Sequence, residues 1–178
     1  MQVNPYLFYN GKCEEALKYY EKALGAQIEA MMPYGDGPAD MPVPADWKTK
    51  IMHARITVDG EVMMASDAMP GDYHQPQGFS VALAVEDPAD AERRFKALAE
   101  GGTVRMPFGK TFFSNGFGMC VDKFGIPWMV NCPVIGPPSV RPVRVPSRRR
   151  AHRARRGGER RAACAGGLRT APGRRRRR

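Results

Sequence analysis

Two stretches of the chain, one starting at Val3 and the other at Phe79, carry the same order of local signals, about 75 residues apart. Each reads as strand, helix and three strands. A unit of that size has one apolar sheet face and one amphipathic helix, too little to enclose its own core. Two copies must therefore pair, which limits the chain to architectures built from duplicated βαβββ modules.

In the first module, Val3 to Tyr9 is rich in aromatic and β-branched residues and ends at Asn10-Gly11. Cys13, Leu17, Tyr20 and Leu24 then recur at helical spacing. Glu14 and Glu15 sit in the first turn, Lys18 and Lys22 lie later, and Gly25 is placed as a stop. Gln27 to Met32 predicts a second strand. Tyr34 to Trp47 holds five prolines and glycines and three aspartates, so it reads as a long loop, a lid or a contact surface. Lys50 to Val58 and Glu61 to Ser66 predict two strands joined by a tight hairpin at Asp59-Gly60.

The second module repeats this order. Phe79 to Val85 predicts a strand, Asp87-Pro88 an N-cap with proline in the first turn, and Ala91, Phe95 and Leu98 a buried stripe ended by Gly101-Gly102. Thr103 to Met106, Phe112 to Val121 and Ile126 to Cys132 predict the last three strands. Tyr20 and Phe95 occupy matching places in their helices. The fold class is α+β, with two tandem βαβββ modules forming a cupped mixed sheet and helices outside. In the strand from Phe79, residues Phe79, Val81, Leu83 and Val85 make a bulky face suited to a helix. Ser80, Ala82 and Ala84 make a face of small side chains that leaves room for a ligand.

The formal charge of +10 is unevenly spread. Residues 134 to 178 hold 16 arginines, no lysine and one acid (Glu159), a net of +15, whereas residues 1 to 133 hold 12 basic and 17 acidic residues, a net of −5. The boundary at Pro133 therefore separates a mildly acidic folding unit from an Arg-rich tail, and any affinity for polyanions belongs to the tail. Arg, Ala, Gly and Pro supply 33 of the tail's 45 residues, with no periodic apolar pattern, which predicts disorder. Two origins fit it: an arm for nucleic acid, or the product of a shifted translation frame. Cys13, Cys120, Cys132 and Cys164 form no CxxC pair and no dense framework. The first residues lack a leader pattern, and no stretch has the apolar length to span a bilayer. The expectation is a cytoplasmic protein with no membrane contact.

Three stretches carry a family resemblance: Asn4-Pro5-Tyr6-Leu7-Phe8 with Glu15-Ala16-Leu17 and Tyr20; Met63 to Pro70; and Gly116-Phe117-Gly118 with Asp122 to Asn131. Together they resemble the PhnB-like branch of the glyoxalase, bleomycin-resistance and dioxygenase (vicinal oxygen chelate) superfamily. The resemblance implies a small-molecule-binding cup. Metal-dependent members of that superfamily place one His or Glu on each of four strands, and the matching positions here fall on Pro5, on Met63 or Ala65, on Ser80 and on Met129. None suits zinc, nickel or iron, so no cofactor is expected. This branch has also been linked by name to ubiquinone methylation, yet no glycine-rich GxGxxG turn follows a strand.

Candidate cup-lining residues are Leu7, His53, Arg55, Ser66, Asp67, Ser80, Ala82 and Met129. His53 and Arg55 share one strand face, as a general base beside an anion-binding group or as an ordinary surface pair. Asp67 reads either as a polar group at the cup mouth or as the start of an Asx turn. Trp128 reads as core and Cys120 as lacking a His partner. Gly109-Lys110-Thr111 resembles the end of a phosphate loop but has the wrong spacing and leads into a strand. The leading expectation is a homodimer binding a small organic molecule without the superfamily metal. The alternatives are a metal-dependent lyase, isomerase or dioxygenase with unusual ligands, and nucleic-acid binding through the tail. The residues do not decide between binding and catalysis.

Overall fold

The structure is a computed structural model that describes residues 1–134; the predicted disordered tail and the question of its origin lie outside the described residues. The first module runs β1 (Tyr6–Tyr9), α1 (Cys13–Leu24), β2 (Gln27–Pro33), β3 (Ile51–Val58) and β4 (Glu61–Asp67). The second runs β5 (Val81–Ala84), α2 (Pro88–Ala99), β6 (Thr103–Gly109), β7 (Ser114–Val121) and β8 (Pro127–Pro133). Each module makes a four-stranded mixed sheet, in the orders β1-β4-β3-β2 and β5-β8-β7-β6. The first strand of each module runs parallel to the last, and the other neighbours are antiparallel. The duplicated topology read from the repeat is present.

Helix α1 forms where its apolar residues share a face: Cys13, Ala16, Leu17, Tyr20, Ala23 and Leu24 are buried. It ends at Gly25, whose φ of 73° is the left-handed cap that an L side chain resists. Helix α2 starts as its sequence dictates, with Pro88 in the first turn and the Asp87 carboxylate accepting from the Asp90 N–H at 2.7 Å. At its far end Gly101 has φ +71°, while Gly102 is needed for a different reason: a Cβ there would stand 2.2 Å from the Val121 carbonyl oxygen.

One contiguous core joins the modules, from Leu7, Tyr9 and Leu17 to Leu98, Trp128 and Val130. At its centre the buried Asp122 carboxylate accepts hydrogen bonds from Tyr20 Oη (2.6 Å) and Trp128 Nε1 (2.8 Å) on one oxygen. The backbone N–H groups of Phe124 (2.9 Å) and Ile126 (3.0 Å) donate to the other. A carboxylate so deeply buried is tolerable because both its oxygens are satisfied. The Asp122-to-Gly125 motif is thus a structural turn that clamps the second module's last hairpin to α1. A second tie runs from Arg94 on α2 to Asp90 and to Asp59 at the β3–β4 turn, each at 2.7 Å. Asp59 (φ 50°) and Gly60 (φ 89°) form that turn in the mirror-image geometry expected of a two-residue hairpin.

The two sheets are separate ladders. A groove of about 450 Å³ is lined by Val81 to Val85 of and after β5, by Val58, Asp59 and Glu61 to Met63 of the β3–β4 hairpin, by Val3 to Pro5 before β1, and by Arg94. The loop after β2 is anchored at its base. Tyr34 and Gly35 donate backbone hydrogen bonds to the carbonyls of Lys50 and Lys48, and Tyr34 Oη donates to the Asp67 carbonyl, all at 2.8 Å. A lid formed by the whole segment is therefore not the observed arrangement.

Candidate functional site

Strand alternation sorts the side chains of each sheet onto a core face and an open face. On the second sheet, Val81, Trp128, Val130, Cys120 and Cys132 belong to the core, so the residues between them point the other way. The register aligns them in two rungs: Ala82, Met129, Met119 and Met106, and beside it Ala84, Asn131 and Phe117. The rungs are about 6.6 Å apart along the strands, and neighbouring strands about 4.8 Å apart. The surface is apolar, with methyl-sized positions on β5 flanked by long thioethers. Gly116 and Gly118, the glycines around Phe117, lie on the opposite face, where a Cβ would collide with the Phe108 and Phe95 rings at 2.4 and 2.7 Å. The Gly-Phe-Gly motif is therefore a platform for two core aromatics on one side and presents Phe117 on the other.

On the first sheet the open rung is Tyr6, Met64 and Arg55; beside it Phe8 pairs with Ser66, which is itself buried, and His53 pairs with Met32. Tyr6 packs its ring 5.0 Å from Phe8 and 5.8 Å from His53, and its hydroxyl is 3.1 Å from His53 Nδ1. Arg55 is ion-paired with Glu29, both side chains about two-fifths exposed, so the guanidinium is already engaged and the pair adds little stability. Phe8 is 52% exposed, unusual for a Phe in a strand of a folded unit.

Of the eight residues read as cup lining, His53, Arg55, Ala82 and Met129 have open-face positions, whereas Ser66 shares the strand face of Met64 by alternation but is 4% exposed and so lines no open surface. Ser80 lies just before β5, outside the ladder. Leu7 and Asp67 are corrections. Leu7 is 2% exposed on the core face, and Tyr6 and Phe8 take the open positions instead, because a slip of one residue exchanges the faces of a strand. Asp67 is 1% exposed and stands neither at a cup mouth nor in an Asx turn. Its two oxygens accept from the N–H groups of Cys13 and Ile51, each at 2.9 Å, tying the start of α1 to the start of β3.

The same slip corrects the positions matched to a metal centre. Met63 and Ala65 face the core, and the open-face residue in register with Tyr6 is Met64, the counterpart of Met129 in register with Ala82. Pro5 borders the groove before β1. Tyr6, Met64, Ala82 and Met129 supply no imidazole or carboxylate, so the rung does not fit a hard or borderline divalent ion. Among the described residues no three His, Cys, Asp or Glu side chains converge on an ion site. Cys120 points into the core and burial, with Asp122 nearby, pushes its thiol up to about 11, unlike an activated nucleophile.

The sequence reading missed Tyr6, Phe8, Asn131 and Phe117 as open-face residues. For the last strand the signal was present: Asn131 lies two residues beyond Met129 and shares its face. For β1 it was not, since Tyr6-Leu7-Phe8-Tyr9 is apolar throughout and shows no alternation.

Paired βαβββ modules with open sheet faces and helices on the other side define the vicinal oxygen chelate fold. A glyoxylase/bleomycin resistance protein/dioxygenase domain from Frankia sp. EAN1pec has this fold, at a TM-score of 0.55 and 13% identity over 75% of this chain and 98% of that one. Within that group, residues 1–131 match the family model described as 3-demethylubiquinone-9 3-methyltransferase. Protein YjdN of Escherichia coli (strain K12) is 34% identical over 139 residues, 74% of this chain and 95% of its own. The crystal structure of protein PA1353 from Pseudomonas aeruginosa is 51% identical, with a TM-score of 0.67 over 75% of this chain and 98% of that one. The chain belongs to this PhnB-like family. Methyl transfer does not follow from the family description: the turn between β1 and α1, Asn10-Gly11-Lys12, has one glycine and not the glycine-rich cradle used to receive a nucleoside cofactor.

Proposed function

We propose that the protein holds a small, largely apolar organic molecule against the open faces of its sheets, and that it does so without the superfamily's divalent ion. The observation that carries this reading is the alternation in β5, where Val81 is buried while Ala82 and Ala84 are exposed beside Met129 and Asn131. A sheet that packs bulky residues on one side and keeps methyl groups on the other has room above it. The thioethers of Met119 and Met129 suit an irregular apolar guest, because they adapt their shape. Tyr6, Phe8 and His53 offer ring faces for stacking.

The test is a thermal-shift screen with aromatic and alicyclic fragments, since a molecule that binds only the folded state raises its melting temperature. Ala82→Leu should abolish the shift at little cost in stability, whereas overpacking a closed interior costs about 1 to 3 kcal/mol. Val81→Ala should retain binding and lose on the order of 1 kcal/mol. A fragment shift that survives Ala82→Leu, or Ala82→Leu proving the more destabilising of the two, overturns the assignment. Elemental analysis of protein purified without added metal should find far less than one equivalent of divalent ion per chain, and a stoichiometric ion refutes the metal-free clause.

The same reading includes a homodimer, because β2 and β6 end their sheets with unpaired ladder edges that a second copy would cover. No helix among the described residues is long and apolar enough to cross a membrane. Cys13, Cys120 and Cys132 are free thiols, which suits a reducing, cytoplasmic setting.

A further inference from the structure

The two central rungs of the second sheet's open face, Ala82, Met129, Met119 and Met106 and beside them Ala84, Asn131 and Phe117, carry a single polar side chain, that of Asn131. Asn131 stands in the middle of its rung, between Ala84 on β5 and Phe117 on β7, with Met129 two residues before it on the same face. Its backbone carbonyl is engaged, accepting from the Val85 N–H at 2.9 Å. Its side-chain Oδ1 is shielded from water and has no hydrogen-bond partner among the described residues. An acceptor in that state is costly to the free protein, and folded proteins leave few of them without a reason. The other two such atoms, Trp47 Nε1 and Thr111 Oγ1, belong to connecting segments and not to a sheet face.

From this we infer that Asn131 is the specificity-determining residue of the binding face, and that the ligand is an apolar molecule with one N–H or O–H donor which it delivers to the Asn131 amide oxygen. The inference rests on the binding reading above and narrows it to a ligand class. An apolar guest with no donor would cover Oδ1 and leave it unpaired. A guest carrying a donor satisfies it and is favoured by that difference. Ala82 and Ala84 are exposed on β5 beside Asn131, and a guest that reaches the shielded oxygen must displace side chains around it, for which the adaptable thioether of its same-face neighbour Met129 is suited.

Indole and 1-methylindole separate the possibilities, because they share one bicyclic ring and the second has a methyl group in place of the N–H donor, adding apolar area while removing the hydrogen bond. Calorimetric titration of the full chain should give a dissociation constant about tenfold lower for indole than for 1-methylindole, the scale of one hydrogen bond to an otherwise unsatisfied group. Asn131→Leu should bind both alike. It should also melt no lower than the wild type, since an unpaired buried acceptor is replaced by an apolar group. Asn131→Met, matched to the neighbouring thioethers, serves as a second variant if Asn131→Leu does not fold. Equal binding of the two probes by the wild type overturns the role of Asn131 and leaves the apolar face intact, as does a preference for indole that persists in both variants. Binding of neither probe overturns the binding face itself, and this inference with it.

Discussion

Asp122 and Asp67 are the residues whose roles are most easily misjudged from sequence. Each is an acidic group in a motif that carries the family resemblance, the profile of a catalytic carboxylate, and each is spent on holding backbone in place. Asp122 accepts from four donors, two side chains and two backbone N–H groups. Asp122→Ala would leave Tyr20 Oη and Trp128 Nε1 inside the core with no acceptor. At about 1 to 3 kcal/mol for each buried group left unsatisfied, these two alone give an expected loss of about 2 to 6 kcal/mol in urea denaturation. Asp122→Asn keeps one acceptor oxygen and should lose distinctly less. A loss below about 1 kcal/mol for Asp122→Ala would show that water replaces the carboxylate. The sequence marks Asp122 only as part of the stretch that carries the family resemblance, and its donor Tyr20 Oη lies 102 residues away, with no local signal.

At the scale of elements, the sequence discloses most where a local rule has a single physical cause. Both helices start and stop where predicted, because caps, proline and the apolar stripe are all encoded within a few residues. Strand ends are less legible. The first strand begins at Tyr6 and not Val3, and β5 at Val81 and not Phe79, since ladder partners rather than propensity decide where pairing begins. The pair Gly101-Gly102 shows the limit within one dipeptide. Its helix-stopping role is visible, but only the fold reveals that Gly102 lets α2's exit pass against the Val121 backbone. Gly102→Ala would force a Cβ to 2.2 Å from the Val121 oxygen and 2.9 Å from Asp122 backbone atoms, none of which can move as a side chain would. It should destabilise by about 1 to 3 kcal/mol or more. Gly25→Ala, with nothing within 4 Å of the new Cβ, should lose only the left-handed cap, about 1 kcal/mol. Thermal or chemical denaturation of the two variants should rank them in that order, and the reverse order would mean the close approach relaxes.

At the scale of the whole molecule, the duplication makes the open faces partly readable. The β5 strand assigns its own faces, because its two sides differ in bulk. The β1 strand does not, since Tyr6-Leu7-Phe8-Tyr9 is apolar on both sides, and only the fold puts Leu7 on the core face. Once the modules are superposed by register, Met64 corresponds to Met129 and Tyr6 to Ala82, so the second module's legible strand corrects the first. Charge has the opposite property: it is fully legible in the sequence and independent of the fold. The folding unit's 12 basic and 17 acidic residues give −5, and ending the chain at Pro133 changes the formal charge from +10 to that value. Any long-range attraction of a polyanion to the full chain would then come from the 16 arginines beyond Pro133. If the full chain binds a DNA duplex through this tail, that binding should fall steeply with salt, as expected when basic groups displace condensed counterions from phosphates. The chain ending at Pro133 should show no binding at any salt concentration from about 50 to 200 mM. The measurement is fluorescence anisotropy of a labelled duplex against both forms, repeated with a scrambled sequence, since contacts made by phosphate neutralisation carry no base preference. Binding retained by residues 1–133 would reveal a basic patch that the net charge conceals, and a sequence preference in the full chain would require base contacts that arginine charge alone does not supply.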